Sequence, residues 1–253
     1  TESLSAMCRR LEHPRNIAER IRAAEAIAEF GRRAVPPLCD LLRHRDSKVR
    51  EFAVVALVRI GPEAERAVPQ LTALLEAPQD PTRATAVFAL GRIGPAATPA
   101  VPAILRVAHD PDWRLRKHAI DALASIGTVE AVRALTALLQ SDERDLQLAA
   151  LPAIQQCGPS AATALPVLLE FGVTASDTDL RDEAFLTAGH LGEAAVDDLI
   201  SLLTAEQAES RRRAAMAISR MGAAGESAAP ALQYALQDPD ATVRFWAIRA
   251  LGG

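Results

Sequence analysis

The stretch Asp46 to Gly61, DSKVREFAVVALVRIG, returns in recognisable form from Gln79 to Gly94 and from Asp112 to Gly127. Weaker copies close on Gly31, Gly158, Gly192 and Gly222, and an eighth opens at Asp240 and stops short of its closing glycine. Successive closing glycines are 30, 33, 33, 31, 34 and 30 residues apart. A period of this size marks a tandem array, in which each unit buries its apolar face against its neighbours.

Counting back from the closing glycine gives the physics of one copy. Eight residues before it stand Ala23, Ala53, Ala86, Ala119, Ala150, Ala184, Ala214 and, in register, Ala247. Five before it the residue is alanine in every copy except at Thr187, and one before it is a larger apolar group such as Ile60, Ile93, Ile126 or Met221. Apolar residues recurring at three and four residues make the stripe of an amphipathic helix. Small residues on that stripe admit a neighbouring helix closely, and the glycine supplies the stop. Asp46, Asp112 and Asp240 sit where an N-cap accepts the first free amides of the helix.

A second helix lies between copies. In the longer copies the glycine leads through proline and small residues into a run such as Pro69 to Leu75 or Pro102 to Leu105, and proline fits a first helical turn. The shorter copies, as after Gly127, drop about one turn of this linker. No stretch alternates as a strand does. The expected fold is therefore all-α: an α-solenoid, a right-handed superhelix of antiparallel helix pairs, with about eight repeats of which the terminal ones are incomplete. It is expected to form a single domain over residues 1–253, with Thr1 to Glu12 as the first A-helix.

The fifth copy departs from the pattern. It has Gln147 in place of an arginine, Pro152 inside the helix, and a polar connector from Phe171 to Thr178 after it. Interior proline bends helices, so a change of curvature is expected near residues 145–178.

The pattern D-x-x-V-R-x-x-A-x-x-A-L-x-x-I-G, followed by A-V-P-x-L, resembles the HEAT repeat, and more narrowly the short HEAT-like repeats of the phycobilisome-lyase type. The resemblance covers nearly the whole chain. It implies an α-solenoid that serves unrelated partners, so function has to be argued from its surface. One role implied by the resemblance alone is that of a subunit in a bilin lyase-like or other enzyme complex.

Composition narrows the classes. Apolar residues make up 49% of the 253 positions but aromatic ones only 4%, which suits small-residue stacking better than one large core. The net charge of −4 and the pI near 5.8 argue against broad nucleic-acid binding. No apolar run reads as long enough to span a membrane, and no leader is visible. Three cysteines, Cys8, Cys39 and Cys157, fit a reducing compartment, so a cytoplasmic location is expected. The chain opens on an ordinary repeat helix and ends inside another, and solenoids need polar end caps. The expectation is a piece of a longer protein, or ends that pair with another chain.

The most repeated charged position lies eleven residues before the glycine: Arg20, Arg50, Arg83, Arg116, Arg181, Arg211 and Arg244. A row of arginines invites a phosphate-tracking reading. On the helical wheel, however, it falls about 40° from the alanine stripe, at the edge of the buried arc. The favoured reading is a structural ladder, each guanidinium bridging a cap carboxylate and carbonyls of the adjacent repeat, as Asp46 and Arg50 at i,i+4 suggest.

The other candidates are bland. The five histidines form no His-Glu pair, which the HEAT-like di-iron hydroxylases would need, and no metal-ligand spacing occurs. No cofactor is expected. Cys157, in the position before its glycine, reads as a small core hydrophobe. Arg211-Arg212-Arg213 reads as a solvated face, and Trp113 as local packing. HEAT-like DNA glycosylases need a basic aromatic groove that this composition does not supply. The chain is therefore read as a non-enzyme.

Positions thirteen, nine, six and two before each glycine fall within about 60° of one another, opposite the alanine stripe. In a HEAT-like superhelix this face lines the concave groove. The candidate binding residues on it are Phe52, Val55, Arg59, Phe88, Arg92 and His118, with Arg213, Arg220, Trp246 and Arg249 further along. Two phenylalanines flanked by arginines on a face expected to be wet have the character of interface anchors; the competing reading is that superhelical twist buries both against the next repeat. The resulting expectation is a non-catalytic interaction scaffold that holds a protein or peptide in this groove, with neither nucleic acid nor membrane as partner.

Overall fold

The computed structural model describes residues 3–252. Thr1, Glu2 and Gly253, which the sequence places in the first helix and the last unit, lie outside the described residues. The fold is an all-α solenoid, and no β-strand occurs among the described residues. The A-helices are α1 (Leu4–Glu12), α3 (Val35–Leu41), α5 (Val68–Leu75), α7 (Val101–Val107), α9 (Val129–Leu138), α11 (Leu165–Thr174), α13 (Glu193–Leu202) and α15 (Ala229–Ala235). Each precedes its B-helix: α2 (Ile17–Ala28), α4 (Ser47–Ile60), α6 (Arg83–Ile93), α8 (Trp113–Ile126), α10 (Arg144–Gln156), α12 (Thr178–Gly189), α14 (Ala208–Ile218) and α16 (Ala241–Leu251).

The chain divides within α9 into two compact units, one ending at Ala134 and the other beginning at Leu135. In the first unit α2, α4, α6 and α8 stack in order, each backed by its own A-helix. In the second α10, α12, α14 and α16 stack in order, and α12, α14 and α16 are each backed by their own A-helix.

The local chemistry explains the boundaries. Asp46 accepts from the Lys48 amide at 2.8 Å and Asp112 from the Arg114 amide at 2.9 Å. Asp240 takes the amides of Thr242 and Val243, and Asp177 caps α12 in the same way. In the third copy Asp80 turns back onto the Thr82 amide and hydroxyl instead. All seven closing glycines have positive φ, between 54° and 75°, a backbone region nearly closed to other residues. The linkers after Gly61, Gly94, Gly158 and Gly222 are 3-10 helices, whereas α9 and α13 start almost directly after theirs.

Packing follows the register. Residues seven and four before the glycine are buried in the first seven copies, as at Val54 and Leu57, Val87 and Leu90, and Leu151 and Ile154. Each fully buried leucine of this kind contributes about 2 kcal/mol. In the eighth copy the same positions, Ile248 and Leu251, are exposed. The alanine stripe permits backbone-close approach: a Cβ on Gly189 would stand 2.8 Å from the Ala217 carbonyl oxygen.

Two local expectations are corrected. The connector after the fifth copy is shorter than the polar sequence implies, because α11 continues to Thr174. Phe171 and Gly172 are buried there, and a Cβ on Gly172 would collide with the Phe185 ring at 2.6 Å. Packing has overridden local polarity. The second concerns apolar runs: Arg83–Val107 is long and apolar enough, by length and composition, to cross a bilayer. It is broken into α6, a 3-10 helix and α7 at Gly94 and Pro95, and more than half of its most apolar 18-residue stretch is buried. Pro152 lies exposed in α10, which runs continuously past it.

Candidate functional site: the open faces of α6 and α8

The ladder arginines are half-buried and anchor in two directions. Backward, Arg50 donates to the carbonyls of His44 and Arg45 at 2.8 and 3.2 Å, and Arg116, Arg211 and Arg244 make the equivalent pair of bonds. Arg20 reaches Leu11 and Glu12, Arg83 reaches Leu75 and Pro78, and Arg181 donates to Ala175. In the fifth copy the Gln147 amide takes over this task, donating to Leu139 and Ser141. Forward, Arg50 pairs with Asp80 at 2.9 Å, Arg83 with Asp110 at 2.8 Å and Arg211 with Asp238 at 2.7 Å. Arg20 lies 3.7 Å from Asp46.

The direction differs from the sequence expectation. The carbonyls come from the arginine's own repeat, from the end of its A-helix or the loop after it, and the carboxylate from the next repeat, so Asp46 faces Arg20 and not Arg50. Burial pushes the Asp80 and Asp110 carboxyls up, but bonds from Thr82 and Arg50, and from the Asp112 amide and Arg83, outweigh it and hold both below the usual carboxylate range. The Arg211 guanidinium does the same for Asp238.

The candidate groove residues fall into three environments. Phe52 and Val55 are half-buried on α4, and Arg59 beside them is bonded to Glu25 at 2.6 Å. Phe88 is 50% exposed on α6, and Arg92 and His118 are exposed with it. These last three line one recess of about 220 Å³, together with Gly91, Asp121, Ala122 and Ser125. The recess has a local cause. At Gly91 the helices come so near that a Cβ would lie 3.1 Å from the Ala122 Cα. Without a side chain there, the space between Phe88 and His118 stays open; the same register position in the second copy carries Val58.

In the second unit Arg220 and Arg249 are exposed and Trp246 is half-buried. Arg249 lies over the Trp246 ring at 5.6 Å, and Phe245 meets that ring edge-on at 5.3 Å. Arg213 is not available to a ligand. It is 3% exposed and is held by Asp182 at 2.7 Å and Glu209 at 3.1 Å. Arg212 shares both acids. The run Arg211–Arg213 is thus a set of ties between repeats rather than a solvated face, because Asp238 faces Arg211 and Asp182 on α12 faces the other two.

Some functional candidates were missed. Trp113 is 61% exposed at the start of α8 and stacks with Arg114 at 5.6 Å, instead of packing inward. Phe245 and Ile248 are also exposed. Among the described residues no three of His, Cys, Asp and Glu cluster as a metal site would. Cys157 is buried, its thiol donates to the Ala153 carbonyl, and burial pushes its pKa up to about 11.

The profile of the HEAT repeats matches three times, over residues 4–84, 68–155 and 165–252. No curated sequence matches the chain. Three solved structures illustrate its similarity in architecture. An engineered protein is 20% identical over 100% of this chain and 96% of its own, with a TM-score of 0.31. Human deoxyhypusine hydroxylase in complex with glycerol is 21% identical over 98% and 94%, with a TM-score of 0.40. The complex of CpcE and CpcF of phycocyanin lyase from Nostoc is 20% identical over 100% and 94%, with a TM-score of 0.46. At these scores the likenesses carry no argument about activity.

Proposed function

We propose that this chain, which belongs to the HEAT-repeat family, is a non-catalytic scaffold that binds a protein or peptide along its B-helix face. The observation that carries the reading is Phe88. A half-exposed aromatic side chain beside a recess, with Arg92 and His118 at its rim, is the anchor-and-rim composition of protein interfaces. The helix pairs beneath it recur every 30 to 34 residues, which suits display of a contact surface better than chemistry. A role as a subunit of a lyase-like or other enzyme complex is the second reading, and it would use the same surface for its partner subunit.

The test is affinity capture with the chain and with a Phe52→Ala, Phe88→Ala double variant that retains its helicity and melting behaviour. The scaffold reading expects specific protein partners of the chain whose recovery falls with the double variant. Identical recovery on both proteins contradicts the assignment of this face.

A further inference from the structure

Resting on the scaffold reading, we infer the chemistry of the ligand: an acidic polypeptide segment whose apolar side chain enters the recess between Phe88 and His118. The argument is one of charge and shape on a single surface. The only exposed residues of α6 are Phe88 and Arg92. The open side of α8 presents Arg114, Lys117, His118 and Asp121. Among the described residues none of the three cations Arg92, Arg114 and Lys117 has a carboxylate ion-pair partner; Asp121 is the one acid among the exposed residues of these two helices, and Asp112 at the cap of α8 is spent on the Arg114 amide. Elsewhere some exposed cations are held by acids, Lys48 by Glu51, Arg32 by Glu65 and Arg106 by Glu76, while others such as Arg43 and Arg66 are not; what sets Arg92, Arg114 and Lys117 apart is that they surround an apolar recess.

A chain of net charge −4 therefore carries a locally cationic surface with an apolar recess at its centre. Complementary charge sets specificity and encounter rate, and the apolar anchor supplies most of the affinity. A recess of about 220 Å³ accepts one apolar side chain but not a cofactor-sized ligand. Polyanionic nucleic acid is the competing occupant, since exposed Phe88 and Trp113 could stack on bases. The acidic balance of the whole chain opposes a long polyanion while leaving a short acidic segment of a protein acceptable.

The experiment is selection of short random peptides displayed on phage against the immobilised chain, followed by affinity measurement of the enriched peptides. Asp and Glu flanking an aliphatic or aromatic residue are the expected consensus. The Kd of the best peptide should weaken by about tenfold or more with Phe88→Ala and, separately, with Arg92→Glu, and should weaken with added salt. Both positions are solvent-facing, and unchanged melting of each variant confirms that only the surface has changed. Enriched peptides without an acidic excess, or peptides whose binding survives both substitutions, overturn this inference while leaving a scaffold role standing. Oligouridine that binds more tightly than the peptides and displaces them overturns it in favour of nucleic acid. A chain that selects no peptide and captures no protein overturns both this inference and the scaffold reading.

Discussion

The Arg50–Asp80 tie between the second and third copies can be measured against an exposed pair of the same chemistry. Arg50 and Asp80 are 2.9 Å apart with side chains only 16% and 10% exposed. The guanidinium also donates to two carbonyls of its own loop. A charge-assisted bond in this setting contributes about 2 kcal/mol and each carbonyl bond about 1 kcal/mol. The Arg50 Nε is buried without a partner, and relief of that penalty returns about 1 kcal/mol on removal. Arg50→Ala should therefore destabilise the chain by about 3 kcal/mol. A double-mutant cycle with Asp80→Ala should give a coupling of about 2 kcal/mol. The Arg32–Glu65 pair, 2.8 Å apart but with side chains 61% and 46% exposed, should give about 0.5 kcal/mol or less. Urea unfolding followed by circular dichroism and by tryptophan fluorescence reads both cycles. Equal couplings would refute the claim that the ladder owes its strength to its burial between repeats.

Three further outcomes follow from the same geometry. Asp80, Asp110 and Asp238 have folded pKa values below their unfolded ones, so the folded chain binds fewer protons than the unfolded chain in that window. Their stabilisation is complete above the unfolded carboxylate pKa of about 4 and is lost as pH falls through the folded values; thermal melting across an acid series should show that decline, and Asp238→Asn should flatten it. Gly94→Ala meets only the cost of its backbone conformation, φ 75° and ψ −141°, a region essentially reserved for glycine, about 1–3 kcal/mol, since nothing lies near its Cβ. Gly189→Ala, whose Cβ would press on the Ala217 carbonyl, should cost more and loosen amide exchange in α14. Cys157, buried and with its pKa near 11, should resist iodoacetamide in the folded chain and react on unfolding; brisk alkylation at neutral pH would contradict its placement.

The repeat made most of the fold readable in advance, because glycine stops, aspartate caps and the alanine stripe are local chemistry fixed by spacing. Ser47–Ile60 and Trp113–Ile126 start and stop where Asp46, Gly61, Asp112 and Gly127 require. Two of the misread features depended on a neighbour in another helix. Arg213 shares the register of Phe52 but is buried, because Asp182 of the preceding copy draws it inward. The connector after Phe171 folded into α11 because Phe185 covers it. Trp113 turned outward at a helix start, where the buried arc does not reach. Within the candidate surface, Phe88, Arg92 and His118 could be assigned to one face from register alone. The recess between them depends on Gly91 meeting Ala122, a close approach that becomes visible only when two helices are stacked.

The central claim is that a polypeptide binds on the α6–α8 surface. It is tested most directly by placing a photoreactive benzoylphenylalanine at position 88, and separately at Ala73 on the exposed side of α5, then irradiating each with an enriched acidic peptide. The account predicts a covalent adduct at position 88 that excess unlabelled peptide abolishes, and no adduct at position 73. Adducts of equal yield at both positions, or at position 73 alone, would contradict it.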